Sequence, residues 1–276
     1  MKMLMLDGGG VFGKAQAKIL SDANCSDKFD AYAGTSIGSA LVAACSLGLQ
    51  DKVGPDFFDW WMPRVFKRRW FGRLVSLFGP KYSDSGLNNA LQFVFGSALM
   101  GDAKKPLFVT AADIGRRTLK VYDSTNFDDS RLPMWEVIRT ATAAETYFPP
   151  WKGLADGGVF ANNPSMVGVA AAARVLRMPL SSMEVLSIGT GRSTKEGHGE
   201  PRSEVQWGGW LVEALLDGAS DDMHDYFVRS MPLKNYVRVQ FLRGGDWEMD
   251  SVVDMDKAMD RWACEIALSV SVVRGF

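Results

Sequence analysis

The sequence predicts an α/β fold in which a mainly parallel sheet is covered by helices. Short apolar runs of strand length alternate along the chain with stretches of helical periodicity, and this order is typical of strands joined by crossover helices. The length of 276 residues suits one large domain or at most two small ones. Since no repeat or low-complexity segment divides the sequence, we expect a single domain over residues 1–276.

Each predicted strand is a short apolar run bounded by turn residues. The strands are Lys2–Leu6, Phe29–Ala33, Leu107–Asp113, Leu119–Tyr122, Val185–Ile188 and Tyr236–Phe241. The predicted helices are Gly13–Ala23, Ser36–Leu49, Leu87–Phe95, Met134–Ala144, Ser165–Leu176, Trp210–Arg229 and Met255–Val273. The stretch Ala31–Gln50 is uncharged and about as long as a membrane span. Its glycines and hydroxyl residues favour a strand end, a turn and a buried helix instead.

Composition excludes several classes of protein. Hydrophobic residues make up 47% and charged residues 23%, as in ordinary globular domains. Lys and Arg number 31 against 32 Asp and Glu, so no global basic field exists to hold a nucleic acid polymer. The three widely spaced cysteines cannot form a disulfide framework or a CxxC metal site. The first apolar run is too short for a signal peptide, and we expect a cytoplasmic protein.

A glycine-rich loop at residues 7–13 follows the first predicted strand and opens a helix. Glycines there allow backbone amides to converge into an anion site. Gly8, Gly10 and Gly13 also satisfy the GxGxxG pattern, and Asp30 lies near the offset of a ribose-binding acid. Taken alone, the loop leaves a nucleotide site, an oxyanion hole and a simple turn open.

The sequence Gly34-Thr35-Ser36-Ile37-Gly38 matches the GxSxG pattern between a predicted strand and a predicted helix. A nucleophilic serine needs such a strained, exposed turn, and small neighbours prevent clashes there. The helix that follows directs its N-terminal dipole at the site. The alternative is a flexible Gly/Ser turn, but the strand–turn–helix context favours a nucleophile at Ser36.

The sequence Asp156-Gly157-Gly158 precedes the helix predicted at Ser165. Taken alone, it favours a hairpin turn. Asp156 is nevertheless a candidate catalytic base, because a serine nucleophile needs a base to accept its proton.

Two histidines are the candidates for that base in a Ser-His-Asp site. His198 lies in an exposed-looking Gly/Glu loop, and His224 lies on a polar helix face beside aspartates. Carboxylates at such spacing are more often solvated than bound to a metal, so we expect no metal and no cofactor. A histidine-free site, with Asp156 acting directly on Ser36, is more economical.

The three motifs, in this order, resemble the patatin-like phospholipase family. Further blocks at residues 139–150, 156–164 and 186–191 are similar to the family, so the resemblance covers residues 3–191. It implies a three-layer α/β/α sandwich that hydrolyses acyl esters of lipids with a Ser-Asp dyad.

Mapped by motif, Ser36 is the expected nucleophile and Asp156 the expected base. The amides of Gly8, Gly9 and Gly10 are the expected oxyanion hole. The family pattern DGGGxRG has an arginine where this chain has Phe12, and Lys14 is the nearest positive charge. This departure puts a guanidinium near the oxyanion hole in doubt, though not the backbone donors. Some bacterial members act in antiphage defence and are activated by cyclic nucleotides, which leaves a small nucleotide activator open.

Residues 57–78 combine aromatic and basic side chains. Aromatic and apolar residues recur there at helical spacing, and basic residues lie largely off that stripe. The stripe comprises Phe66, Trp70, Leu74, Leu77 and Phe78, and the basic residues are Arg64, Lys67, Arg68 and Arg73. This pattern suits contact with an anionic membrane surface. A cap helix over the core and a basic patch for a regulatory nucleotide are the alternatives.

We therefore predict a lipid acyl hydrolase, of phospholipase A type, working at the surface of the inner membrane. A nucleotide-binding oxidoreductase and an inactive scaffold are the alternatives from other classes. The aromatic residues of segment 57–78 also suit contact with another subunit, so an oligomer is an alternative to the membrane contact.

Overall fold

The computed structural model describes residues 1–24, 28–67, 79–193, 201–214, 220–244 and 247–276. Its centre is a seven-stranded sheet of order β4-β3-β2-β1-β6-β8, with β5 beside β3. Four strand pairs are parallel, whereas β4 and β5 run antiparallel to β3. The strands are β1 (Lys2–Leu6), β2 (Ala31–Gly34), β3 (Leu107–Asp113), β4 (Thr118–Asp123), β5 (Leu154–Asp156), β6 (Glu184–Ile188) and β8 (Asn235–Val239); the short strands β7 (Arg192–Ser193) and β9 (Leu242–Arg243) form a separate pair.

The described α-helices cover both faces of the sheet. They are α1 (Gly13–Ala23), α2 (Ile37–Leu47), α3 (Pro55–Val65), α4 (Ser85–Phe95), α5 (Phe127–Ser130), α6 (Met134–Ala141), α7 (Gly158–Ala161), α8 (Ser165–Val175), α9 (Glu204–Glu213), α10 (Ser220–Ser230), α11 (Val252–Arg261) and α12 (Ala263–Gly275). Within the described ranges, no helix is long and apolar enough to span a bilayer.

The central strands are buried on both faces, as parallel strands between helices must be. Leu4 and Leu6 of β1 join the apolar cluster that includes α2, while Met3 and Met5 join the cluster on the side of α8. The side chains alternate because successive residues of a strand point to opposite faces. The three layers that result confirm the predicted α/β sandwich.

One predicted long helix is divided in the structure, and another is described only in part. The segment predicted as Trp210–Arg229 contains parts of α9 and α10. The segment predicted as Met255–Val273 is interrupted at Trp262, whose backbone leaves the helical region at ψ 10°. The Trp262 side chain is buried, and its indole N–H donates to the carbonyl of Leu242 at 2.9 Å. The break between α11 and α12 therefore lies at a residue whose side chain is anchored in the core.

Strand β5 was not predicted, because three residues carry too little pattern, yet it positions the candidate site. Strand β3 pairs with the end of β2 through Val109 and with β5 through Ala111. Because β4 occupies the other edge of β3, β2 and β5 both pair with the same edge. Their ends meet there, with Thr110 of β3 between them. The residues that follow Gly34 and the residue that ends β5, Asp156, are thereby brought together.

Candidate active site

Ser36 lies at the turn between β2 and α2 and has φ 52° and ψ −127°. Positive φ is strained for a residue with a β-carbon and persists where the surrounding structure enforces it. The serine side chain makes no capping hydrogen bond to α2. The turn therefore presents the hydroxyl outward at the N-terminus of a helix, the geometry that a nucleophile requires.

The glycines on either side of Ser36 allow very close backbone contacts. A β-carbon at Gly38 would lie 2.6 Å from the carbonyl oxygen of Asp7, at the end of β1. A β-carbon at Gly34 would lie 2.6 Å from the Cα of Ser39. Both distances are too short for real atoms, so the turn needs glycine at both positions.

Asp156 ends β5 and faces the Ser36 hydroxyl. Its backbone amide donates to the carbonyl of Ala143 at 3.1 Å, and its Oδ1 accepts from the amide of Gly158 at 2.8 Å. Burial raises the pKa of Asp156 to about 6, although hydrogen bonding from Ser36 and Gly158 lowers it. A carboxylate with such a pKa is a far better base near neutral pH than an exposed aspartate.

The two glycines after Asp156 do not form a hairpin turn, so that interpretation is wrong. Gly157 leads into the short helix α7, and a β-carbon there would lie 2.7 Å from the backbone of Thr110. Gly158 supplies the amide that holds the Asp156 carboxylate. Both glycines thus keep the carboxylate close to β3.

The three amides of the glycine loop after β1, expected as oxyanion donors, differ in their contacts. The amide of Gly8 already donates to the carbonyl of Asn162 at 3.1 Å, so the role of Gly8 as an oxyanion donor stays a prediction. Gly9 and Gly10 line the same cavity as Ser36, and no described residue accepts a hydrogen bond from their amides. Gly10 has φ 57° and packs against the backbone of Met249. These two amides are therefore candidate oxyanion donors.

The structure argues against a dinucleotide site in this loop. Asp30 precedes β2 and accepts from the amide of Lys2 at 2.8 Å. It therefore lies at the edge where β1 begins, whereas the loop follows the other end of β1. A β-carbon at Gly13 would lie 2.7 Å from the side chain of Ile37, so Gly13 serves the contact between α1 and α2.

The cavity beside Ser36 and Asp156 has mainly apolar walls. Helix α3 contributes Met62 and Val65, and the chain after α6 contributes Tyr147 and Phe148. The cavity is lined by Gly9, Gly10, Ser36, Ile37, Met62, Val65, Phe66, Leu87, Thr142, Ala144, Glu145, Tyr147, Phe148, Asp156, Gly158, Asn162 and Met249. A hydrocarbon chain is the kind of group that such walls accommodate.

Glu145 is a cavity residue that the sequence reasoning did not single out. Its Oε1 is buried and has no hydrogen-bond partner. Burial raises the pKa of Glu145 to about 8, and the charge of nearby Asp156 acts in the same direction. An acidic residue between two alanines and a threonine was the available signal, but nothing local showed that its side chain is buried.

Phe12 occupies the place where the family pattern has arginine, and it is part of the core. Its ring packs against Trp247 and Trp262, with centroids 6.2 and 5.9 Å away. The guanidinium of Arg243 lies 5.3 Å from the Phe12 ring. Lys14, the other candidate cation, pairs with Asp59 and does not line the cavity.

A buried ion network lies beneath the glycine loop, and the sequence reasoning missed it. Arg238 of β8 contacts both carboxylate oxygens of Asp7 and also Asp221 of α10. Burial lowers the pKa of Arg238, but the charges of Asp7 and Asp221 outweigh it and raise that pKa above its usual value. Arg238 is therefore charged, and it orients the residue that directly precedes Gly8.

His224 is buried rather than exposed on a polar face, which corrects the sequence-based interpretation. Its Nδ1 lies 2.5 Å from the carbonyl oxygen of Asn163, and burial lowers its pKa. The ring does not line the cavity. His198 lies outside the described residues, and within them no cluster of metal-ligating side chains is present.

The structure describes residues 57–67 of the segment 57–78, for which membrane contact was predicted. Helix α3 ends at Val65, and Phe66 packs against Phe148 in the cavity wall, so Phe66 does not fit the membrane-contact prediction. The Arg64 guanidinium lies 3.8 Å from the Trp60 ring centroid, and Lys67 is exposed. Arg68, Trp70 and Arg73 lie outside the described residues.

Comparisons with known proteins agree with this geometry. The model of the family described as patatin-like phospholipase matches residues 4–168. Patatin group D-2 of Solanum tuberosum is 26% identical over 310 aligned positions, which cover 90% of this chain and 78% of the relative. Patatin-B1 of the same plant is 26% identical over 308 positions, with the same coverage. The crystal structure of VipD from Legionella pneumophila superposes with a TM-score of 0.52 at 10% identity, covering 99% of this chain and 67% of VipD, which supports the fold. The chain belongs to the patatin-like phospholipase family.

Proposed function

We propose that this protein hydrolyses fatty-acyl ester bonds of phospholipids, with Ser36 as the nucleophile and Asp156 as the base. The observation that carries the proposal is the pairing of these two side chains beside an apolar cavity. Each has an environment suited to its role, since Ser36 lies on a strained turn and Asp156 has a pKa of about 6. The family membership supports an acyl hydrolase of this kind.

In the first step, the Ser36 oxygen attacks the ester carbonyl carbon while Asp156 accepts the hydroxyl proton. Negative charge develops on the carbonyl oxygen. We assign its stabilisation to the amides of Gly9 and Gly10, which line the cavity, and one such donor can contribute about 3 kcal/mol. The C–O bond to the alcohol then breaks, and the proton that Asp156 accepted passes on to the departing alcohol oxygen. Asp156 is again a carboxylate, and an acyl group stays on Ser36.

In the second step, water attacks the acyl-enzyme and gives its proton to Asp156. The proton then returns to the Ser36 oxygen as the fatty acid leaves. The serine and the aspartate end in their starting states, so one carboxylate serves both steps without a histidine.

The apolar cavity supports a substrate with a hydrocarbon chain, and a phospholipid must be reached at a membrane surface. The inner membrane as the site of action, the antiphage role and the nucleotide activator stay predictions of the sequence. An inactive scaffold would have no need for a strained serine beside an aspartate with a raised pKa.

The proposal is tested by incubating the protein with vesicles of phosphatidylcholine and phosphatidylglycerol and measuring fatty acid release by mass spectrometry. We expect equal amounts of fatty acid and lysophospholipid. Because Asp156 must be ionised to act as a base, kcat/KM should rise about tenfold per pH unit up to about pH 6 and stay level between about pH 6 and 8. Absence of fatty acid release from pH 5 to 8 would contradict the proposal.

A further inference from the structure

We propose that Glu145 is a third catalytic residue, whose protonated carboxyl group gives its proton to the alcohol oxygen as that oxygen leaves the substrate. This inference rests on the proposed function, because it assigns a role within the same reaction.

The first support is the position of Glu145. It lines the cavity together with Ser36 and Asp156. The hydrogen bond from the Asp156 amide to the carbonyl of Ala143, 3.1 Å long, joins the chain before Glu145 to the end of β5. The two carboxyl groups are near enough for the charge of Asp156 to act on Glu145.

The second support is an unsatisfied oxygen of the Glu145 carboxyl group, which otherwise accepts a hydrogen bond from the Glu145 backbone. Its Oε1 is buried without a hydrogen-bond partner. A buried carboxyl oxygen without a partner costs free energy, and a substrate oxygen in the cavity can supply the missing hydrogen bond. Within the described residues, no lysine or arginine forms an ion pair with Glu145.

Charged groups on the segments packed against residues 143–148 are already paired with one another. The amide of Lys81 donates to the carbonyl of Thr146 at 2.8 Å, and the Lys81 ammonium contacts the carboxylate of Asp250. The guanidinium of Arg139 lies 3.7 Å from Asp84. Among the described groups, Asp156 is therefore the charge that faces Glu145.

The two carboxyl groups consequently differ in protonation near neutral pH. The pKa of Asp156 is raised to about 6 by burial, and that of Glu145 to about 8 by burial and by the charge of Asp156. Asp156 accepts hydrogen bonds from Ser36 and the Gly158 amide, which favour its ionised form, whereas Glu145 Oε1 has no partner. Near neutral pH, Asp156 is therefore the group that accepts a proton and Glu145 the group that donates one. Paired carboxyl groups with separated pKa values are the usual arrangement for a base and an acid in one site.

The protons balance through the reaction. During acylation, the Ser36 proton passes to Asp156 and the Glu145 proton passes to the departing alkoxide, which leaves as an alcohol. The proton on Asp156 then moves to the Glu145 carboxylate, and the pair returns to one ionised and one protonated group. During deacylation, Asp156 accepts a proton from water and returns it to the Ser36 oxygen.

The test compares two esters of the same fatty acid, monodecanoylglycerol and para-nitrophenyl decanoate. The glycerol alkoxide is strongly basic and needs a proton to leave, whereas nitrophenolate leaves without one. For Glu145→Gln and Glu145→Leu, we expect kcat/KM to fall by about 100-fold with the glycerol ester and by less than about threefold with the nitrophenyl ester. In the wild type, the glycerol ester alone should lose rate above about pH 8.

Glu265→Gln, on the exposed side of α12, is the matched control and should change neither rate. Equal losses with both esters, or no loss with either, would overturn the assignment of Glu145. If Ser36→Ala abolishes both activities while Glu145→Gln changes neither, this inference fails and the proposed function stands. If the wild type hydrolyses neither ester, the proposed function fails first.

Discussion

Asp156→Asn is expected to lower kcat/KM for ester hydrolysis by about 10⁴-fold and to make the protein more stable. The amide cannot accept the Ser36 proton, so the nucleophile loses its base. It can still accept the hydrogen bond from the Gly158 amide, which keeps the local structure. Ser36→Ala should cause a loss of similar size, since the two residues act as one unit.

The gain in stability follows from the sign of the pKa shift. Burial raises the Asp156 pKa to about 6, from 3.8 in an unperturbed chain. The folded state therefore holds this proton more tightly, and the wild type loses stability as the pH rises from about 4 to 6. At pH 8, Asp156→Asn should raise the free energy of unfolding by up to about 3 kcal/mol, and at pH 3 it should have almost no effect.

Urea unfolding at both pH values measures this difference. Asp260→Asn, on the exposed side of α11, is the matched control and should be neutral. A loss of activity accompanied by lower stability at pH 8 would mean that Asp156 has a mainly structural role.

Arg238→Met is expected to lower the free energy of unfolding by about 3 to 5 kcal/mol. The substitution keeps the apolar length of the side chain but leaves Asp7 and Asp221 as buried carboxylates without a counter-charge. Asp7 also directly precedes the glycine loop, so ester hydrolysis should fall together with stability. Urea denaturation with parallel activity assays measures both effects.

Arg229→Met provides the comparison for that variant. Arg229 forms an ion pair with Asp225, but its side chain is 54% exposed, so the change should cost less than about 1 kcal/mol. Equal destabilisation by the two substitutions would contradict the role given to the buried network.

Much of the site could be predicted from sequence because the residues that shape the Ser36 turn are neighbours of Ser36 in the sequence. A turn that holds Ser36 at positive φ needs glycine at both sides, and those glycines are visible in the sequence. The strands β1 and β3 have the predicted bounds, since buried parallel strands are continuous apolar runs. The order of the motifs then pointed to the family that the comparisons confirm.

What sequence reasoning missed depends on contacts between distant residues. Asp7 and Arg238 lie 231 positions apart, and nothing near either residue indicates the partner. Glu145 becomes part of the site because the unpredicted strand β5 places Asp156 beside the chain after α6. The Gly8 amide donates a hydrogen bond to the carbonyl of Asn162, and no local sequence pattern indicates this contact.

Labelling with a fluorophosphonate, followed by peptide mass spectrometry, tests most directly whether Ser36 is activated by Asp156. We expect one covalent adduct on the peptide that contains Ser36, formed faster as the pH rises through about 6. The adduct should be absent from Ser36→Ala and at least about 100-fold slower to form in Asp156→Asn. Labelling at another residue, or labelling of Ser36 at an unchanged rate in Asp156→Asn, would contradict a Ser36–Asp156 dyad.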